Sequence, residues 1–201
     1  MRGTKQRGDE DLAFVTRCQE GDTDAFEHVV RRHQKRMLNI AYRIIGNYDE
    51  ACEITQDAFV AAYNNIKGFR REAAFSTWLS AICINIARNR LKRLKARRFR
   101  EGRSLDDPIS SPDGKRGMDP PASDPTPLER LEARDIRHHV QECINTLDTE
   151  FKEVLVLRDM QGFSYEEIST MLDVPAGTVK SRLFRAREGM KDCLKKVRGV
   201  L

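Results

Sequence analysis

Apolar residues recur at three- and four-residue spacing along most of the chain, and the alternating runs expected of strands are nearly absent. Before Ser104 this spacing predicts four helices. The first covers about Glu10–Gln19 and stops at Gly21. The second covers about Thr23–Ile45, with Phe26, Val29, Val30, Met37, Ile40, Ala41 and Ile44 on one face and Gly46 as its terminator. The third starts near Asp49 and carries Ile54, Ala58, Ala61 and Ala62 to about Ile66. A loop, Lys67 to Phe75, contains Gly68. The fourth helix is expected to open at Ser76, a residue suited to an N-cap, and to pass Arg97. Ser104–Pro127 then holds Pro108, Pro112, Pro120, Pro121, Pro125 and Pro127 among several aspartates. Such a stretch has too little apolar surface to order itself and predicts a flexible linker. Four further helices are expected at about Leu128–Thr146, Thr149–Met160, Tyr165–Leu172 and Ala176–Val197. Asp148 and Ser164 are the expected N-caps, Ser164 with Glu167 as a capping box, and Gly162 ends the helix before it. The expected fold is all-α: two small helical domains, 1–103 and 128–201, joined by the linker 104–127.

The second domain carries its chemistry in SYEEISTMLDVPAGTVKSRLFRAR, residues 164–187. A short helix, the turn Asp173–Val174–Pro175 and a basic helix make a helix-turn-helix pattern, whose second helix lies in the DNA major groove. At about 100° per residue, Val179, Leu183, Ala186 and Met190 share one side and must pack on Ile168, Met171 and Leu172. The opposite side presents Gly177, Ser181, Phe184, Arg185 and Glu188, flanked by Lys180, Arg182 and Arg187. An arginine there can bond guanine through two hydrogen bonds, Ser181 can bond either partner, and Phe184 can press on a thymine methyl. The flanking cations suit phosphates.

In the first domain, RNRLKRLKARRFREGR at 88–103 sets a dense run of cations against the single acid Glu101. Like charges at this density repel, so a polyanion would stabilise the segment. Just upstream lie Phe69, Phe75 and Trp78, in and beside a loop. Aromatic faces next to a basic helix suit unstacked bases. Of these, Phe69 and the loop backbone are the expected base contacts, and Trp78 is expected in the core. Gln56, Asp57 and Phe59 are expected on or near one exposed helix edge, a patch for a protein contact.

The net charge of +5 is mild and favours a polyanionic partner through its distribution rather than its total. The five cysteines, Cys18, Cys52, Cys83, Cys143 and Cys193, form no Cys-x-x-Cys pair. They are expected as reduced thiols in a cytoplasmic protein. No export signal or membrane-spanning run is read from the chain. His28, His33, His138 and His139 lack partners at ligand spacing, and there is no phosphate-cradling glycine loop. No catalytic residue, metal or cofactor is expected.

Taken together, ITQDAFVAAYNNIKGF, FSTWLSAICINIARNRLKR and GFSYEEISTMLDVPAGTVKSRLFRARE, in that order, resemble the extracytoplasmic-function sigma factors. The resemblance covers about Asp24–Lys95 and Leu128–Leu194. It implies a factor that binds core RNA polymerase, directs it to promoters and promotes strand opening, without chemistry of its own. Gln56, Asp57 and Phe59 would dock on polymerase. Phe69, Arg70, Ser76, Thr77 and Asn85 would capture a flipped minus-ten base, with Arg88, Asn89 and Lys92 on the nearby backbone. Thr178, Lys180, Ser181, Arg182, Phe184 and Arg185 would read the minus-thirty-five element. An anti-sigma factor, in this family often membrane-anchored, would be a further partner. The rival reading is a stand-alone regulator that binds duplex DNA through the helix-turn-helix. The aromatic loop has no use in that reading.

Overall fold

The computed structural model describes residues 3–100 and 127–198. These residues form α1 (Gly3–Gln19), α2 (Asp24–Ile45), α3 (Tyr48–Asn65), α4 (Phe75–Arg100), α5 (Pro127–Thr146), α6 (Thr149–Leu155), α7 (Tyr165–Leu172) and α8 (Ala176–Arg198), with no strand among them. The expected linker lies outside the described residues, apart from Pro127, which opens α5.

α2, α3 and α4 pack on one another through the faces the periodicity marks. Val29, Met37, Ile40, Ala41, Ile44, Ile54, Ala58 and Ala62 are all buried, and Leu79, Cys83, Ile84 and Ala87 of α4 close the core over them. α1 lies against this group through Val15 and Cys18. Gly46 ends α2 in the left-handed conformation at φ 79°, its N–H bonded to the Tyr42 carbonyl, which a residue without a Cβ adopts at no cost. Asn47 caps α3, accepting from the Glu50 N–H at 3.0 Å. Two helix starts differ from expectation. α1 extends back to Gly3. α4 begins at Phe75, and the Ala74 carbonyl, not Ser76, receives its first N–H bonds. Ser76 therefore sits inside the first turn instead of capping it.

In the second domain α6 passes without a break into a π-helical turn over 156–160. Gly162 at φ 76° then reverses the chain. The Ser164–Glu167 capping box forms in both directions, at 3.1 Å and 2.8 Å. The thiol expectation fails at one pair. Cys143 of α5 and Cys193 of α8 form a disulfide, their Cα atoms 5.6 Å apart. The residues stand fifty positions apart in sequence, so only the antiparallel packing of α5 on α8 brings them together. Cys18, Cys52 and Cys83 are free, and burial pushes the Cys83 thiol up to about 12.

The two domains dock. Arg36 donates to the Gln161 carbonyl at 2.7 Å and lies over the Phe163 ring, its guanidinium carbon 4.2 Å from the centroid. Arg43 donates to Gln141 Oε1 at 3.0 Å, and Gln161 to Asn39 Oδ1 at 2.8 Å. Arg88 of α4 holds Glu153 of α6 through two bonds, 2.8 and 2.7 Å. Asn145 of α5 lies against Gly46, so close that a Cβ there would meet its side chain at 2.8 Å.

Candidate nucleic-acid interface

α7 and α8 meet across a tight turn. Asp173 takes the left-handed conformation at φ 53°, unusual for a residue other than glycine but open to aspartate. The Val174 carbonyl then accepts from Ser169 Oγ at 2.6 Å. Pro175 stands one position ahead of α8, and its carbonyl accepts the first helical N–H bonds, from Thr178 and Val179. Proline lacks a donor, and none is needed at this position.

The expected facing of α8 holds. Val179, Leu183 and Ala186 are buried against Ile168, Met171 and Leu172. Gly177, Ser181, Phe184, Arg185 and Glu188 are exposed, and Phe184 keeps 69 % of its surface open. A phenylalanine left in water forgoes about 2 kcal/mol of burial, which is reasonable where a ligand later covers it. The flanking cations are less free than their spacing suggests. Arg182 is paired with Glu150 at 2.5 Å and Arg187 with Asp159 at 2.6 Å. Lys180 lies over the Tyr165 ring, 5.4 Å from its centroid, and Thr178 is half-buried.

The first domain offers an open groove of about 440 Å³ between α3 and α4, lined by Ala61, Asn65, Gly68, Trp78, Ile82, Asn85 and Ile86. Asn85 is on its wall as expected. Two aromatic expectations exchange places. Phe69 is buried, its ring edge-on to Phe75 at 5.5 Å and 5.2 Å from Trp78. It therefore cannot stack a base. Trp78, expected in the core, is half-buried and lines the groove beside Asn85. Loop sequences gave no hint of this because a loop aromatic that folds back under its own turn has the same sequence neighbours as one that points outward. Arg70 is exposed and Ser76 half-buried.

Phe59 is likewise turned inward, off the exposed edge expected for it. It is 8 % exposed and packs edge-on against Phe26, 6.4 Å between centroids. Gln56 and Asp57 remain on the exposed edge, where the large apolar side chains are Val60, 54 % open, and Tyr63, 41 % open. The helical phase supplied the signal: Val60 lies four positions from Gln56 and three from Asp57, and Tyr63 three positions beyond Val60, on the outer face.

Two expected DNA contacts on α4 are engaged by the second domain. Arg88 pairs with Glu153, whose hydrogen bonds raise the guanidinium's pKa against the opposing effect of burial. Thr77 is buried and its hydroxyl donates to Glu167 Oε1 at 3.1 Å. Asn85, Asn89 and Lys92 remain exposed. No grouping of metal-binding side chains occurs among the described residues, and none of their helices is long and apolar enough to cross a membrane.

The fold and these surfaces define a helical protein of two modules, one of them a helix-turn-helix. Comparison with known proteins identifies both modules. Residues 29–98 match sigma-70 region 2 and residues 137–190 match sigma-70 region 4. The RNA polymerase sigma-H factor of Pseudomonas aeruginosa is 36 % identical over 189 residues, covering 92 % of this chain and 94 % of that one. The ECF RNA polymerase sigma-E factor of Haemophilus influenzae is 35 % identical, covering 89 % and 92 %. Among solved structures, CnrH in complex with the cytosolic domain of CnrY superposes with a TM-score of 0.66 at 24 % identity, covering 92 % of this chain and 97 % of that one. RpoE from Bartonella quintana, solved with the anti-sigma factor NepR, gives 0.65 at 20 % identity, covering 85 % and 96 %. The chain belongs to the sigma-70 family, in its extracytoplasmic-function (ECF) group.

Proposed function

We propose that this protein is a promoter-specificity factor: it binds core RNA polymerase, directs it to promoters and promotes strand opening, with no chemistry of its own. We assign residues 1–103 to polymerase docking and minus-ten recognition, 104–127 to a tether, and 128–201 to minus-thirty-five recognition. The observation that carries the reading is the pairing of two unlike surfaces. α8 presents Ser181, Phe184 and Arg185 outward on a rigid helix, suited to a paired major groove. The α3–α4 groove presents Trp78 and Asn85, suited to one unpaired base. A regulator that binds only duplex DNA has no use for the second surface, and this favours the sigma reading over that rival.

In this reading Gln56, Asp57, Val60 and Tyr63 face polymerase. Asn85 and Trp78 hold the flipped base, with Arg70, Ser76, Asn89 and Lys92 around it. Unstacking a base costs a few kcal/mol, and an aromatic face returns roughly 1–3 kcal/mol. Thr77 and Arg88 join only once Glu167 and Glu153 withdraw, so promoter engagement requires the domains to part. Lys180 and Arg182 sit on phosphates. The partners are core polymerase, promoter DNA as duplex and as single strand, and an anti-sigma factor; the site of action is the cytoplasm.

The test is run-off transcription with purified core polymerase on a library of random promoters. Start-site-specific RNA that depends on this protein is the expected result, and its absence across a broad library overturns the reading. On a recovered promoter, Arg185→Ala should relax preference at one base pair by roughly 1–3 kcal/mol.

A further inference from the structure

The loop that walls the α3–α4 groove is held from behind by a helix that takes no part in the groove. Gln19, the last residue of α1, donates through Nε2 to two carbonyls, Ile66 O at 2.9 Å and Phe69 O at 3.1 Å. The residues it links are 47 and 50 positions away in sequence. Gly68, which lines the groove, lies between the two carbonyls so held. A second tether lies one turn back on α1. Arg71 donates through Nη2 to Thr16 Oγ1 at 2.6 Å, and Thr16 Oγ1 donates to the Leu12 carbonyl at 2.8 Å. Arg71 has φ 62°, a backbone state that costs a non-glycine residue about 1–2 kcal/mol and persists only where the surroundings hold it. Two α1 side chains, Gln19 and Thr16, therefore fix the loop at both ends.

The grip of α1 on the core is separate from this. Val15 and Cys18 carry it and are buried, whereas Gln19 is half-buried and spends its amide on the loop backbone. Phe69, whose carbonyl Gln19 holds, packs at a tilt against Trp78, the aromatic of the groove, 5.2 Å between ring centroids. A shift of the loop would therefore reach Trp78 directly.

We propose that Gln19 is a positioning residue for strand capture: it presets the 66–71 loop, and through Phe69 the Trp78 ring, in the shape that receives an unpaired base. The inference rests on the reading of the groove as a single-strand site. A preset loop spares the complex the cost of ordering it on binding. Losing the amide leaves two carbonyls without that donor.

The test uses holoenzyme reconstituted with core polymerase and a promoter recovered from the library. Two probes are compared: that promoter with its minus-ten strand unpaired, and its fully duplex upstream element. Gln19→Leu should weaken forked-probe binding by roughly tenfold and leave duplex binding unchanged. Gln19→Glu, the same size but facing two carbonyls with a carboxylate, should weaken it at least as much. Gln19→Lys, which restores a donor able to reach both carbonyls, should recover most of the loss. Wild-type forked binding in both the Leu and Glu variants overturns the proposal. Equal loss on both probes also overturns it, because that is the mark of general destabilisation. Asn85→Ala, run in parallel, separates the two levels. If Asn85→Ala weakens the forked probe while the Gln19 variants do not, the brace alone falls. If Asn85→Ala also binds as wild type, the groove reading falls and the brace with it.

Discussion

α4 and α8 are both cationic helices, yet they stand in opposite circumstances. α8 is anchored from behind. Val179, Leu183 and Ala186 fill the core and Cys193 ties its far end to α5. Its outer face is open along the centre, and the paired cations, Arg182 and Arg187, lie at its flanks. α4 is covered in part, although Lys92 remains exposed. Glu153 occupies Arg88, and Glu50 and Glu53 of the neighbouring helix α3 occupy Arg90. Density of positive charge is similar in the two helices. What differs is which acidic side chains the tertiary structure sets against them, and this decides where a polyanion can land without first displacing something.

The largest effect should come from the disulfide. Opening a cross-link that spans fifty residues returns about 4 kcal/mol of chain entropy to the unfolded second domain on a loop-closure model. Dithiothreitol, or Cys193→Ser, should lower the unfolding midpoint of that domain by circular dichroism. The first domain, followed through the fluorescence of the chain's one tryptophan, should be unmoved. Equal loss in both domains would show that α8 is not independently fastened.

Next comes the seam. Arg88→Met leaves the Glu153 carboxylate, 2 % exposed, without its cation. Docking should weaken by about 3 kcal/mol, the scale for breaking a buried pair at one partner. A larger radius of gyration by small-angle scattering is the expected sign. Arg88→Met combined with Glu153→Met should regain compactness, since apolar side chains of similar volume can replace such a pair.

A pH dependence follows from Lys152, which is buried beside Lys95. Burial first, and that like charge second, push its ammonium down to about 8. The folded pKa is thus depressed below the unfolded value of 10.5. Between these values the unfolded chain binds more protons, so stability should rise with pH from about 8 to about 10.5, by at most about 1.4 kcal/mol per pH unit. Lys152→Met should flatten that slope in denaturant titrations, and an unchanged slope would reassign it. The smallest effect is expected at the edge of α8. Asp159→Ala frees the exposed Arg187 and should cost under about 1 kcal/mol of stability. It should also steepen the salt dependence of upstream-element binding, because one more cation reaches phosphate.

Much of this architecture is legible in the sequence, for reasons that differ by region. The face of α8 could be read because its packing residues and its outward residues follow one helical period. The Ser164–Glu167 cap could be read because both partners lie within four residues. Phe59 and Phe69 could not. Phe59 lies between Ala58, which is buried, and Val60, which is exposed, and Phe69 lies between Gly68 and Arg70; only the approach of Phe26, Phe75 and Trp78 from other elements shows where each is buried. The disulfide and the Arg88–Glu153 pair were invisible for the same reason, since nothing local distinguishes a cysteine or arginine whose partner lies fifty or more residues away. The same limit hid the Gln19 contacts.

Gly46 serves two needs at once. Its left-handed backbone turns the corner between α2 and α3, and the missing side chain makes room for Asn145. A single methyl at this position would act as a wedge, straining the corner on one side and prising Asn145 away on the other. The contact between the two domains is thus tight at a position bearing no charge, where a substitution could loosen the docking without altering one ionic group.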